Sequence, residues 1–335
     1  MKKYLVFFFA AMLLLLPVGC AVTEEDAGVG RPIHVGLLTD GNGVEDGGAN
    51  QEAWDCLQQM QTEVEGFRAD YLKPGTDGTY GECIRRLAEQ GCSLIVCVDG
   101  SMAEVIGRTA QSFPQVQFAV VDCDSVAGSN VAGLSFAPQQ AVYLAGIAAG
   151  KTSQSGRIGC VHGRLTAKTE QLLAAFMAGV KAADSDAEIL RGNALADNDG
   201  GALAAQRMVA NGVDVIFHAD AGDESVVVQV CQENGIWAVG ANRDYSAQAP
   251  EQVLTCAVKQ VAVAVRDIVE TAAAGQFTAG VHLYDLSNSG VGLTDGLLTE
   301  AVQNSVNNAK EKLLAGERTI PDTLDTLMEK EENNK

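Results

Sequence analysis

From Ile33 onward the chain alternates short apolar runs with longer stretches in which apolar residues return every three or four positions. The first kind predicts buried strands, the second amphipathic helices. IHVGLLTD, FRADYLKP, SLIVCVDG and VQFAVVDCD read as strands, separated by helices over ANQEAWDCLQQMQTE, GTYGECIRRLAEQG and MAEVIGRTAQSF. Ala53, Trp54, Leu57 and Met60 recur at helical spacing in the first helix, and Gly91 supplies a C-terminal stop for the second. A second series begins after Phe136, with helices over AVYLAGIAAGKTSQ, TEQLLAAFMAGVKAAD, ALAAQRMVANG, SVVVQVCQENG and QVAVAVRDIVETAAAG. Its strands are RIGCVHG, AEILRGNA, VDVIFHAD, WAVGAN and QVLTCAV, with a turn at DYSAQAP. Strand, Gly- or Asp-bearing loop and helix in succession make βαβ units, so an α/β protein with two parallel-sheet halves is expected.

In open parallel sheets, the loops at the carboxyl ends of the strands form the binding edge. Polar residues collect there: Asp40, Asp46 and Asn50, then Asp99, Asp122 and Asp124, then Asp220, Asp223 and Asn242. The first loop, GNGVEDGG, has Gly41 and Gly43, but Gly47 comes one position late for a dinucleotide fingerprint. Asp40, Glu45 and Asp46 would also crowd a pyrophosphate. The sequence contains neither a GxxxxGK[ST] loop nor a G-x-S-x-G elbow, and His34, His162, His218 and His282 lack the i, i+4 spacing of a helical metal pair. No catalysis, cofactor or metal is expected. Carboxylates and amides without a nucleophile suit a neutral, hydroxyl-rich ligand such as a sugar or nucleoside, because ionised Asp accepts hydrogen bonds from hydroxyls.

Charge and the amino terminus narrow the setting. Lys and Arg number 23 against 43 Asp and Glu, a net charge of −20 that repels nucleic-acid phosphates. With 47% hydrophobic residues over 335 positions, two well-cored domains are affordable. Lys2 and Lys3 precede an apolar run from Leu5 to Leu16 and then Pro17-Val18-Gly19-Cys20, the layout of a secretory signal over residues 1–19. That run is short for a membrane-spanning helix, and acidic sequence follows at once. Cys20 after Gly19 resembles a bacterial lipobox, although Pro17 stands where an aliphatic residue is usual; an ordinary cleaved signal is the alternative. Residues 20–31 then form a lipidated tether, which anchors the chain on the extracytoplasmic face of the cell membrane. The other eight cysteines sit in helix and strand patterns with no CxxC and read as small buried hydrophobes, while their even number leaves disulfides open.

The segments LLTDGNGVEDGGANQEAWDCL, VVDCDSVAGSNVAGLSFAPQQAVYLAGIAAG, SGRIGCVHG, FMAGVKAA, VDVIFHADAG, IWAVGANRDY, VLTCAVKQVAVAV and SGVGLTD occur in that order. Together, over about residues 31–320, they resemble the basic membrane protein family of ABC-transporter substrate-binding lipoproteins, whose better-known members bind purine nucleosides. The resemblance implies a type I periplasmic-binding fold: two Rossmann-like lobes, joined by a multi-strand hinge, that close on the ligand. It places the first lobe at residues 32–135 plus about 258–286, and the second at 136–257 plus about 287–320. Residues 321–335 are left as a flexible acidic tail. An ABC permease is the implied membrane partner, nucleic acid is not a partner, and a monomer is expected.

Carried over position by position, the resemblance makes Asp40, Asp46, Asn50, Asp122, Gly222, Asn242 and Lys259 ligand-binding residues, with Asp122 and Lys259 on a ribose. The chain also departs from the family. Ala49 and Val228 replace its stacking aromatics, Asn242 stands where Gly-x-Asp is usual, and Asp223-Glu224 interrupts a Gly-rich loop. His218, Tyr245 and Trp54 are the aromatic candidates for a replacement wall. Simpler roles compete: Asp40 and Asn50 as caps of the helix starting near Ala49, Asp122 as a turn former, Lys259 as a solvated residue. A surface receptor or adhesin of the same fold and a nucleoside-hydrolysing enzyme are the other functional classes; the second would need an aspartate cluster for Ca²⁺.

Overall fold

The computed structural model describes residues 33–194 and 200–333, so the signal segment, Cys20 and the tether lie outside the described residues. Two six-stranded sheets organise the described chain. The first contains β1 (His34–Leu38), β2 (Arg68–Leu72), β3 (Leu94–Cys97), β4 (Gln117–Val121), β5 (Val131–Phe136) and β11 (Gly280–Tyr284), in the order β11-β5-β4-β3-β1-β2. The second contains β6 (Arg157–His162), β7 (Glu188–Asn193), β8 (Val215–Ala219), β9 (Trp237–Ala241), β10 (Val253–Lys259) and β12 (Val291–Leu293), in the order β12-β10-β9-β8-β6-β7. The two orders are the same plan used twice. Pairing is parallel throughout except β10 with β12. The α/β class and the doubled parallel sheet therefore follow the apolar pattern.

Helices cover both faces of each sheet. The central strands are buried on both sides, which is why they read as unbroken apolar runs rather than alternating ones. Thr79 and Glu82 form both arms of a capping box that starts α2 (Tyr80–Glu89), and Gly91 follows its end at φ 88°. Pro138 opens α4 (Pro138–Thr152), where its missing N–H costs nothing. The apolar stripe of α4 packs on α5 (Ala167–Ala183) at backbone distance. A methyl on Gly146 would lie 2.2 Å from Phe176 O, and one on Gly179 2.1 Å from Tyr143 O. The YLAG segment is thus a core seam.

Three crossings join the halves. The chain passes from β5 into α4, which packs on the second sheet, and from β10 into α8 (Val261–Ala273), which packs on the first. The third crossing runs from β11 to β12. Ala137 N–H donates to Tyr284 O at 3.0 Å, Leu286 N–H to Gln140 Oε1 at 3.0 Å and Gln260 N–H to Gly290 O at 2.9 Å, which ties the three together.

Five elements escape the sequence pattern. β12 has only three residues, β5 (VAGLSF) carries small and polar residues among its apolar ones, and β11 lies at an edge with Val281 and Leu283 exposed. α9 (Glu300–Leu314) buries only the narrow stripe of Val302, Val306 and Ala309. The segment read as a flexible tail from residue 321 instead carries α10 (Leu324–Asn333): Leu324 and Leu327 are buried, and Leu324 N–H donates to Glu170 at 3.1 Å. All eight cysteines outside the leader are buried and unpaired, so the disulfide alternative falls. Burial pushes the thiols of Cys92, Cys160 and Cys231 up to about 12, which leaves them protonated and inert. No described helix is long and apolar enough to cross a membrane.

Candidate functional site

The loop after β1 is built around one buried amide. Asn50, in the first turn of α1 (Ala49–Glu63), is 1% exposed. Its Nδ2 donates to Asp40 and to Asp46, both at 2.8 Å, while its Oδ1 accepts the Asp40 N–H at 3.2 Å. Asp46 also accepts the N–H groups of Gly48 and Gln51 at 2.9 and 3.1 Å, and so caps the helix. The amide capacity of Asn50 is committed to holding the two carboxylates. It organises the loop, Asp46 does the capping, and Asp40 and Asp46 present the remaining acceptor sites.

Three strand ends turn sharply. Asp122, Asp220 and Asn242 follow β4, β8 and β9 with φ of 57°, 51° and 70°. That left-handed conformation suits Asp and Asn better than other non-glycine residues. Asp122 and Asn242 follow corresponding strands of the two sheets. The turn at Asn242 is fixed by its N–H donating to Ala257 O at 2.9 Å, and Asp220 accepts from Thr169 Oγ1 at 2.8 Å. Lys259 closes β10 in the second sheet, so the boundaries expected at about 258 and at 136 shift to after Lys259 and after Phe136. Its ammonium donates to Asp122 of the first half. Its Nζ also lies 5.9 Å from the ring centroid of Phe136, the last residue of β5. Nearby, Glu52 accepts the Val261 N–H at 3.2 Å. Burial pushes its carboxyl above the ordinary range, against the lowering effects of Val261 and Lys259, and Asp46 adds to the rise.

Two openings separate the halves. One, of about 600 Å³, lies between Glu45, Asp46 and Lys73 on the first half and Glu224, Asn242 and Arg243 on the second. Arg243 nearly spans it: a methyl on Gly47 would lie 3.7 Å from Arg243 Nη2. The other, of about 440 Å³, brings Asp122, Asp124 and Phe136 against Lys168, Glu170 and Asp322.

The replacement aromatic walls do not form. Trp54 packs edge-on to Tyr71 at 4.9 Å, over the first core. His218 is fully buried because its position on β8 points into the second core, and Tyr245 is 5% exposed. The two rings meet edge-on at 4.9 Å, and the Arg243 guanidinium lies 5.1 Å from the Tyr245 centroid. Val228 is likewise buried at 0% exposure, so that position of α7 (Ser225–Asn234) is core rather than a lost cleft wall. Gly222 sits exposed in the β8–α7 loop at φ 82°, outside the lining of both openings. Sequence reasoning did not select Lys73, Glu224, Arg243 or Phe136. Glu224 showed only as an interruption of a Gly-rich loop, and Phe136 only as the point after which the second series begins.

Glu224 is the most constrained of these. Tyr245 Oη donates to its Oε2 at 2.5 Å, Ala221 N–H reaches Oε1 at 3.4 Å, and His218 Nδ1 lies 3.5 Å from Oε2. Burial would raise this carboxyl, but His218, the Tyr245 hydroxyl and the Ala221 N–H together hold it below the ordinary range.

Two sheets of one plan, three crossings and a polar cleft at facing strand ends make a two-lobed α/β protein. The structure of an ABC transporter solute-binding protein from Conexibacter woesei has the same fold, with a TM-score of 0.73 at 21% identity, covering 87% of this chain and 99% of that one. Residues 33–324 match the family described as ABC transporter substrate-binding protein, PnrA-like, and the chain belongs to that family. The resemblance to the basic membrane proteins holds. A Listeria monocytogenes protein named CD4+ T-cell-stimulating antigen is 29% identical, over 87% of this chain and 89% of its own length. The ABC transporter nucleoside-binding protein BmpA of Lactococcus lactis is 26% identical, over 96% and 99%. The family is one of substrate-binding proteins rather than enzymes, working outside the cytoplasm with a small-molecule ligand and a permease.

Proposed function

We propose that this protein is a lipoprotein, anchored through Cys20, that binds a nucleoside or similar polyhydroxylated molecule between its lobes and delivers it as a monomer to an ABC permease. The observation that carries the ligand class is the meeting of Asp122 and Lys259 from opposite lobes, beside the ring of Phe136. A carboxylate and an ammonium together match the acceptor and donor faces of paired sugar hydroxyls, and an adjacent ring suits the apolar face of a sugar or base. Asp40 and Asp46, held by Asn50, add acceptors from the first lobe. The name of the Lactococcus lactis relative supports the same class.

Ligand that bridges both lobes favours the closed form by its differential affinity for it. Solution scattering should therefore report compaction when a tightly bound nucleoside is added; an unchanged profile at saturation would count against the closing cleft. For the anchor, Cys20→Ala should move the mature chain from the membrane fraction to the soluble one. Retention at wild-type levels with the signal cleaved would remove lipid from the account.

A further inference from the structure

His218 is fully buried and neither ring nitrogen has a hydrogen-bond partner. A packed core gains nothing from two bare polar atoms where an apolar side chain would fill the same space. The imidazole is spent on one neighbour: its Nδ1 faces Glu224 Oε2 at 3.5 Å. Tyr245, 5% exposed, directs its hydroxyl to the same oxygen at 2.5 Å. Glu224 itself is only 10% exposed at its side chain, yet it lines the cleft with Asp46, Asn242 and Arg243. An ionised carboxylate is thus held from behind by the Tyr245 hydroxyl, with the His218 ring packed 3.5 Å away and not hydrogen-bonded to it, and it lines the ligand space. A carboxylate has about four acceptor positions, and Tyr245 and Ala221 use one on each oxygen, so both oxygens retain one.

We propose that Glu224 is a ligand-contacting, specificity-determining residue that reads two adjacent N–H donors, such as the ring N–H and exocyclic amino group of a guanine-type base. Tyr245 and His218 are positioning residues behind it. The assignment rests on the interlobe cleft being the nucleoside site. Glu224 lines the same opening as Asp46, one of the first-lobe loop acids, and the base is placed there. Two parallel N–H···O contacts to one carboxylate give both geometry and strength. Adenine turns a ring-nitrogen lone pair toward the same oxygens and is rejected, because a site built for donors leaves its acceptors unpaired against an analogue lacking them.

Calorimetry on the full chain with guanosine, adenosine and ribose tests this. Wild type should bind guanosine at least about tenfold more tightly than adenosine, and Glu224→Gln should erase that preference by weakening guanosine about tenfold with adenosine changed less than about twofold. Tyr245→Phe should give an intermediate guanosine-to-adenosine ratio, which a purely structural hydroxyl would not change, and it serves as the test if the Glu224 variant does not fold. Equal weakening of both nucleosides, or no change, overturns the role of Glu224 while leaving the nucleoside site standing. Absence of heat from every nucleoside with wild type overturns both, and is told apart because binding is then missing before any substitution.

Discussion

Lys259, the last residue of β10, donates to the carboxylate of Asp122, which follows β4 in the other sheet. The two are 137 positions apart: Lys259 closes β10 just before the chain crosses to α8, and Asp122 follows β4 on the way to β5 in the same sheet. The pair lies on the lobe boundary, with Lys259 at 12% and Asp122 at 32% side-chain exposure. Ligand that engages both groups must therefore replace their mutual contact.

Asp122→Asn separates binding from folding. Asn tolerates the left-handed φ of 57°, so the backbone is retained while the charge is lost. A partly exposed pair contributes about 1 kcal/mol or less, so urea unfolding should shift by no more than that. Nucleoside affinity should fall at least about tenfold by calorimetry. A large stability loss with unchanged affinity would make the pair structural.

Asn50→Ala should act the other way, through the scaffold. It leaves Asp40 and Asp46 without their shared donor and the Asp40 N–H without its acceptor, in a position 1% exposed. A loss of about 1–3 kcal/mol in urea unfolding is expected, together with weaker binding as the loop loosens. Wild-type stability would show that the amide is not what holds the loop.

These two residues mark how far the sequence reaches. The sheets were legible because doubly covered parallel strands such as LIVC and VIFHA are continuous apolar runs. The loop acids were legible because such sheets bind at their carboxyl ends. Helical periodicity does not say which lobe's core a face meets, so Val228 passed for a cleft position although it is core. His218 and Tyr245 read as cleft-wall candidates because each follows closely on an apolar strand run, whereas the two rings pack edge-on to each other inside the second half. The mutual contact of Lys259 and Asp122 spans the two sheets, and no local pattern encodes it. α9 and α10 escaped because each buries only a few apolar residues on an otherwise polar helix.

Acid should destabilise the fold through named groups. Asp285, on the third crossing, is pushed up by burial but held lower overall by Ser287 and by bonds to Asn288 and Gln140. A depressed folded value means the contribution is present above the ordinary value near about 4 and is lost as pH falls through the folded value. Glu224 has the same sign. Glu52 has the opposite one: its raised value means the charge costs stability at neutral pH, relieved as pH falls. Asp285→Asn should flatten the acid limb of a stability-against-pH curve, and Glu52→Gln should stabilise at pH 7 while keeping an acceptor for Val261. The reverse signs would contradict these assignments.

The most direct measurement is calorimetric titration of the ligand-stripped protein with guanosine, adenosine, inosine, uridine and free ribose, repeated with Asp122→Ala. At least one nucleoside should bind with a Kd well below about 1 mM and more tightly than ribose, and Asp122→Ala should abolish that heat. The nucleoside account is contradicted if none binds below about 1 mM while an unrelated solute binds tightly and is indifferent to Asp122→Ala.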